Sequence, residues 1–307
     1  MDPLELLAEC KIKRYFRATR KLNVPNFVFH ITQRAVAKEL LFVEDSDYLF
    51  TIRLLKEIAS NYSLRVYGFC LMPNHIHLLL SPKEANLYDA MRDLFSRYAM
   101  RFNRKYERKG HLFGGPYRQA ICFDDSYLLA ASLYIHANPV KANLVAAPLH
   151  YRWSSCQLYC ADEGPESFLD TSFILGLLAD DERDSKKSYR LLVGQACELK
   201  AGNLMEQEDA IEQFCSKLSS VFPSVFKRAE RKKRVAASLS LKLLSLQELE
   251  RQIKKLRESG MDRRPESRKA KKFLIEQLVH RGFSRKEIAD RLGVSRKTIY
   301  NILKSPL

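Results

Sequence analysis

Pro73-Asn74-His75-Ile76-His77-Leu78-Leu79, continued by Leu80 and closed by Ser81-Pro82, is short, apolar and ended by a proline, which is β-strand sequence. Alternate side chains of a strand share a face. His75, His77 and Leu79 therefore point one way, and Ile76, Leu78 and Leu80 point the other way, towards a core. Two imidazoles about 6.5–7 Å apart along a strand can converge on one metal ion. The same pair would also suit the solvated face of a strand, and the neighbouring sequence has to decide.

Working outward, residues 64–70 predict a second strand, joined to the histidine strand by the tight connection Leu71-Met72-Pro73-Asn74. Phe27-Val28-Phe29-His30-Ile31-Thr32 alternates as a first strand, with His30 in the core or supporting the histidine site from behind. Asp45-Ser46-Asp47 offers caps for a helix over 47–61, with Leu49, Ile52, Leu55, Ile58 and Ala59 turned inward. A long helix over 86–107 carries the stripe Leu87, Met91, Leu94, Tyr98 and Phe102 and has a basic distal end. Residues 117–123 read as a fourth strand. Asp124-Asp125-Ser126 caps a third helix over 127–137, which Asn138-Pro139 is expected to end, because a residue before proline is pushed out of the helical region. The order β-α-β-β-α-β-α is that of an α+β, ferredoxin-like antiparallel sheet with helices on one face, plus one helix. The third strand would then lie centrally, and the last helix would pass near its histidines.

Composition narrows the partners. The chain has 307 residues, 46% of them hydrophobic, which is ample for a packed core, and no apolar run reaches the ~18–20 residues a membrane span needs. The acidic start Met1-Asp2-Pro3-Leu4-Glu5 does not resemble a signal peptide. Seven scattered cysteines with no C-x-x-C pair read as reduced thiols of a cytoplasmic protein. The net charge is +16, and from Lys227 onward 24 Lys and Arg face nine Asp and Glu, so the excess sits in the last quarter. A basic terminal domain is the electrostatic footprint of nucleic-acid binding. A membrane surface would need an amphipathic basic helix, and none is convincing.

Tyr134 and Asn138 are four apart and share a helical face. If that face meets His75 and His77, two imidazoles, an amide and a phenol surround one site. A divalent metal held there would polarise a phosphodiester as a Lewis acid. A neighbouring phenol can attack phosphorus and store the bond as a phosphotyrosine. Spacing alone equally allows Tyr134 to be a core residue and Asn138 a helix-capping residue beside Pro139. His136 lies about 200° round the helix from Tyr134 and reads as structural. Tyr127 shares the face of Tyr134 with nothing further to mark it.

Pro73-Asn74-His75-Ile76-His77 resembles the metal motif of the HUH endonucleases. Gly110-His111-Leu112-Phe113, Tyr117-Arg118, Tyr127-Leu128-Leu129, Tyr134-Ile135-His136-Ala137-Asn138-Pro139-Val140-Lys141-Ala142 and Tyr151-Arg152-Trp153-Ser154-Ser155 follow in the order seen in the REP-associated tyrosine transposases. These are single-tyrosine relatives of small insertion-sequence transposases. The resemblance covers about residues 25–160, more loosely to about 195. It implies a HUH nuclease fold and a Mg²⁺- or Mn²⁺-dependent nickase and strand transferase acting on single-stranded or hairpin DNA. In that resemblance His75 and His77 are metal ligands, Asn138 completes the metal site, and Tyr134 is the nucleophile that leaves a 5′-phosphotyrosine and a free 3′-OH. Arg118 is a DNA contact by the same likeness. The chain departs from its relatives at Gly114-Gly115-Pro116, where they often carry a charged or amide residue, so loop contacts to DNA do not carry over.

Residues 156–225 turn acidic and read as small packed helices and a linker with no chemistry visible. The basic patch Lys11, Lys13, Arg14, Arg17, Arg20 and Lys21 reads as a solvated or DNA-contacting arm. Near the end, Ser284-Arg285-Lys286-Glu287 is a capping box, Gly293 a turn, and Ser295 a second cap, with Ile288, Ala289, Leu292, Val294, Ile299 and Leu303 at the buried positions of a helix-turn-helix. The second helix of such a unit enters the major groove by its N-terminal residues, which makes Arg296, Lys297 and Tyr300 candidate contacts. Arg268 and Lys272 would sit near phosphates of the duplex.

The expected organisation is a HUH transposase domain over 1–155 (core about 25–155), a helical extension over 156–225, and an all-α DNA-binding domain over 226–307 with the helix-turn-helix at about 284–304. The expected setting is the cytoplasm of a prokaryote, bound to the nucleoid DNA, as monomer or homodimer. Two rival functions keep the same residues: a domesticated regulator that binds repeat DNA without cutting, and a metal phosphoesterase that needs the histidines but no tyrosine.

Overall fold

Four strands, β1 (Val28–Arg34), β2 (Leu64–Met72), β3 (His75–Pro82) and β4 (Arg118–Cys122), pair antiparallel in the order β2-β3-β1-β4. With helices α1 (Asp45–Asn61) and α2 (Leu87–Lys105) in the two crossovers, this is the ferredoxin-like arrangement, and β3 is central as its sequence implies. The structure is a computed structural model that describes residues 21–122, 124–162, 167–199, 210–232, 244, 246–258, 265–281 and 283–304.

Register fixes what each face of the sheet carries. Thr32 pairs with His77 and with Arg118, Arg34 pairs with His75, and Cys70 pairs with His77. Residues directly across from one another share a face. His30, Thr32, Arg34, Cys70, His75, His77 and Arg118 therefore occupy one side. Gln33, on the other side, lines a cavity with Met91 and Phe95 of α2. The α2 stripe of Leu87, Met91, Leu94, Tyr98 and Phe102 is buried as expected.

Two helices depart from the reading of the sequence. α1 starts at Asp45 behind Glu44, and its buried face is Tyr48, Thr51, Leu54, Leu55, Ile58 and Ala59, while Leu49 is exposed. Its phase is set by Asp47 and Tyr48. Asp47 is buried and paired to Lys105 at 2.6 Å, and Tyr48 stacks on Phe42 (4.2 Å) and Trp153 (4.4 Å). α3 (Asp125–Lys141), capped by Asp124 accepting from the Tyr127 N–H at 2.7 Å, does not stop at Asn138-Pro139. Proline removes one donor and crowds one carbonyl, and near a helix end this is tolerable. The last turn closes because the N–H groups of Ala142, Asn143 and Leu144 donate to the carbonyls of Asn138, Val140 and Pro139, each at 2.9 Å.

α3 lies on the histidine face and is buried from Asp125 to Pro139 on every side. Its outer sides are covered by the short α4 (Cys156–Cys160) and α5 (Ser172–Leu175), then α6 (Glu182–Glu198), α7 (Ala210–Val221) and α8 (Pro223–Lys232). Tyr189, Leu192, Ile211, Phe214, Leu218 and Phe226 bring these helices into the same hydrophobic core. Leu22 and Val24 are fully buried too, so the end of the basic leader is part of the core, not an arm; Lys11, Lys13, Arg14, Arg17 and Arg20 lie outside the described residues.

A second core joins α9 (Leu246–Glu258), α10 (Pro265–His280), α11 (Arg285–Leu292) and α12 (Arg296–Lys304) through Leu249, Ile253, Leu274, Ile275, Leu278, Ile288, Leu292 and Ile299. The capping box forms: Ser284 Oγ accepts from the Glu287 N–H at 3.2 Å and the Ser284 N–H donates to the Glu287 carboxylate at 2.8 Å. Gly293 takes the left-handed conformation (φ 68°) that ends α11, and Ser295 Oγ accepts from the Thr298 N–H at 3.1 Å to start α12. The all-α C-terminal unit with a helix-turn-helix is thus present. It meets the first unit where the Asn23 N–H donates to the His280 carbonyl (3.0 Å) and Arg285 pairs with Asp89 (3.3 Å).

Candidate active site

His77 lies between β1 and α3. Its Nδ1 is 2.9 Å from His30 Nε2 and 3.3 Å from Thr32 Oγ1, and its Nε2 is 2.8 Å from the Asn138 amide. The His75 ring stands edge-on at 4.8 Å, with its Nδ1 held at 2.6 Å by Asn74 Oδ1. The Tyr134 ring is edge-on to His77 at 6.0 Å and to His30 at 6.4 Å. The structure therefore brings Tyr134, Asn138, His75 and His77 together, as the spacing on β3 and α3 implies.

Burial keeps these imidazoles neutral. It brings the His30 pKa down to about 4, and it brings His75 to about 3 with help from Arg34 and His30. His77 is held well below the ordinary value by burial first, then by His75, His30 and Arg34. A neutral imidazole offers a lone pair, which is the form that ligates metals. His77 Nδ1 and His75 Nδ1 are held by His30 and Asn74, so the Nε2 atoms are the positions open to ligation, that of His77 facing the Asn138 amide.

The residues fit a divalent cation through donor chemistry that counting acids and histidines alone would miss. Among the described residues no group of three His, Cys, Asp or Glu side chains is arranged to hold a metal. The Asn138 amide offers a third donor, since turning that amide over puts its oxygen where its nitrogen now faces His77. Two ligands about 2.1 Å from a six-coordinate ion and at right angles stand about 3 Å apart. The 2.8 Å between His77 Nε2 and the Asn138 amide matches that separation.

What holds α3 in rotation is a buried polar chain. Ser132 Oγ and His136 Nδ1 meet the Tyr189 hydroxyl at 2.6 and 2.7 Å, and His136 Nε2 meets Ser155 Oγ at 2.8 Å. Ser155 Oγ accepts from the Phe69 N–H at 2.9 Å and donates to its carbonyl at 3.2 Å. One direction of donation satisfies every member: Ser132 to Tyr189, Tyr189 to His136, His136 to Ser155, Ser155 to β2. A Cβ at Gly68 would stand 3.2 Å from Ser155 Oγ, so glycine leaves room for the link. His136 is structural in this sense: it ties α3 to α6 and to the sheet.

Sequence reasoning missed three contributors. Phe214 of α7 packs edge-on against Tyr134 at 5.7 Å and leaves it only 4% exposed. Tyr189 anchors the polar chain. Lys141, which the motif from Tyr134 to Ala142 contains without a role, lies one turn beyond Asn138. Only the last carried a signal, since positions 134, 138 and 141 share a helical face. Of the expected DNA contacts, Arg118 is half-buried on the histidine face of β4, opposite Thr32. Arg296, Lys297 and Tyr300 are exposed on α12 and line a crevice of about 750 Å³ with Lys21, Tyr88 and Arg92 across it. Arg268 is exposed and Lys272 half-buried on α10, outside that crevice.

Residues 23–138 match the family of IS200-like transposases, and residues 266–305 match the homeodomain-like domain. A solved structure of a REP-associated tyrosine transposase bound to a REP hairpin is similar, with 13% identity and a TM-score of 0.41, over 50% of this chain and 94% of that one. No curated protein matches the chain. Among the described residues no helix is long and apolar enough to cross a membrane. The stretch that matches the IS200-like transposases, residues 23–138, is the one that carries the histidine pair on the central strand and the tyrosine and the asparagine on the helix crossing it.

Proposed function

We propose that the chain is a metal-dependent single-stranded DNA endonuclease and strand transferase that works through Tyr134 at hairpin or repeat DNA. The observation that carries this reading is the meeting of Tyr134, His77, His75 and Asn138 on one buried face. The Tyr134 phenolic oxygen attacks the phosphorus of a phosphodiester. The bond from phosphorus to the 3′ oxygen breaks, that oxygen leaves with the electron pair and takes up a proton, and the phenol gives up its own. The products are a 5′-phosphotyrosine and a free 3′-OH, and attack by that or another 3′-OH reverses the step or joins a new strand. A Mg²⁺ or Mn²⁺ ion held by His75, His77 and Asn138 would supply Lewis-acid polarisation of the phosphate. His30 and Thr32 orient His77, and the Ser132–Tyr189–His136–Ser155 chain holds α3 at the rotation that aims Tyr134 and Asn138. The C-terminal helix-turn-helix, with Arg296, Lys297 and Tyr300 towards the major groove and Arg268 and Lys272 towards phosphates, selects the duplex; Arg118 contacts DNA beside the site. The reaction belongs in the cytoplasm.

One observation favours a second reading. Tyr134 is 4% exposed beneath Phe214, so a regulator that binds repeat DNA without cutting it would need no movement of α7. The two readings separate on a denaturing gel. Wild-type protein with a single-strand-flanked hairpin and Mn²⁺ gives a covalent adduct that Tyr134→Phe abolishes under the first reading. Tight binding without adduct or cleavage identifies the second, and cleavage that survives Tyr134→Phe rejects the tyrosine as nucleophile.

A further inference from the structure

Beside the histidines, Arg34, Lys38, His75, Asn138 and Lys141 line a cavity of about 430 Å³. Three of these side chains are cationic, and no described residue lining the cavity is acidic. Arg34 faces His75 across the β1–β3 ladder, and Lys38 is exposed at the rim. Lys141 is the least expected of the three. Its Nζ is shielded from solvent and, among the described residues, has no hydrogen-bond partner. It rests 4.2 Å from the centre of the Phe214 ring, the ring that also packs on Tyr134.

A cation in the last turn of a helix ordinarily serves the helix by meeting its free carbonyls. That explanation does not reach Lys141. The carbonyls of Asn138, Pro139 and Val140 already accept from the N–H groups of Ala142, Leu144 and Asn143. A cation–π contact offsets only part of what an ammonium loses on leaving water. Burial, with a smaller push from Lys217, brings its pKa down to about 8. A lysine held in this way, in the lining of a cationic cavity and on the helical face of Tyr134 and Asn138, fits an anion that arrives later.

We infer that this cavity seats a backbone phosphate of the single strand entering the site, and that Lys141 is its principal cation, with Arg34 and Lys38 at the entrance. The seat rests on the nicking reading for its location beside the scissile bond, but it is a binding statement that can be tested separately. Lys141 is a positioning residue here: it holds a phosphate of the DNA chain and so sets where the neighbouring phosphodiester lies against Tyr134.

The test uses the full chain carrying Tyr134→Phe, so that no DNA is cut, and two fluorescent probes: a mixed-sequence hairpin with a ten-nucleotide single-stranded flank, and the same hairpin blunt. Anisotropy titrations run from 50 to 300 mM KCl. Lys141→Met is expected to weaken binding of the flanked hairpin about tenfold and to leave the blunt hairpin unchanged. The slope of log K against log salt should fall by about 0.7 for the flanked probe, the increment for one phosphate of a single strand left without its cation. Lys141→Arg should restore most of the affinity. Lys38→Met, at an exposed position, should give a smaller flank-specific loss and carries the test should Lys141→Met fail to fold. Equal losses on both probes, or an unchanged slope in the foldable variants, overturn the seat. Adduct formation by the chain with Tyr134 intact reads the nicking reaction independently. No adduct with a persisting flank-specific loss ends that reaction and keeps the seat, and an adduct without the loss does the reverse.

Discussion

A single bond pattern at His77 carries much of the site's chemistry. With His30 on one nitrogen and Asn138 on the other, the ring has one orientation and one nitrogen directed at the amide. Partners behind a metal-binding histidine typically change affinity 10–100-fold. His30→Ala is therefore expected to weaken Mn²⁺ binding about tenfold or more, seen by electron paramagnetic resonance of free Mn²⁺, with the circular dichroism spectrum preserved; unchanged affinity would remove His30 from this role. His136 makes a prediction of another kind. Its pKa is brought to about 3 by burial, whereas the unfolded chain protonates near 6.5. Between those values the unfolded state binds the extra proton, so stability is full above about pH 6.5 and declines as pH falls towards 3. The loss is on the order of 5 kcal/mol for this one group at the acid limit. Urea midpoints for the wild type and His136→Gln, compared from pH 7.5 to 4.5, should show a shallower decline in the variant. Parallel curves would mean that this imidazole is not the group being titrated.

At the scale of elements, α3 shows which parts of the site are legible in the sequence. Tyr134 and Asn138 on one face follow from a spacing of four, and the strand of His75 and His77 follows from alternation. Both rules are local, and both survive folding. The end of α3 escapes the proline rule because that rule describes an isolated backbone, whereas the last turn here is closed by three successive N–H groups. The phase of α1 escapes the apolar pattern because the pairing of buried Asp47 with Lys105 and a stacked Tyr48 outweigh it. The cover over α3 is not legible at all. α6 and α7 arise in the acidic stretch that shows no chemical motif, and only the tertiary fold sets Tyr189 against His136 and Phe214 against Tyr134. Phe214 is 2% exposed, so Phe214→Ala opens a cavity and is expected to cost about 3 kcal/mol in urea unfolding. The same change should speed nitration of Tyr134 by tetranitromethane, mapped by peptide mass. An unaltered nitration rate would show that α7 is not what covers the phenol.

For the whole molecule the charge is divided by task. The first unit builds a buried site from a few neutral imidazoles and local cations, while the basic excess follows Lys227 into the helical unit. The helix-turn-helix is legible because its caps are chemical signatures: Ser284 with Glu287, Gly293 and Ser295 all perform the parts their types suggest. Its relation to the first unit is not legible, since Asn23–His280 and Arg285–Asp89 join residues far apart in the chain. A division into cutting and selecting parts predicts separable defects. Arg296 and Lys297 are exposed on α12 and contribute no atoms to the second core, so Arg296→Ala with Lys297→Ala should leave the melting temperature within about 1 °C of wild type. Duplex binding should weaken at least tenfold at 150 mM salt, with a salt slope reduced by about 0.9 for each phosphate that is no longer neutralised. At saturating hairpin the Tyr134 adduct should form in undiminished yield, because none of the groups around His77 has been touched. A double variant that binds duplex as the wild type does would move site selection off α12. One that binds poorly and also fails to form adduct at saturation would show that the helical unit takes part in the cutting step itself.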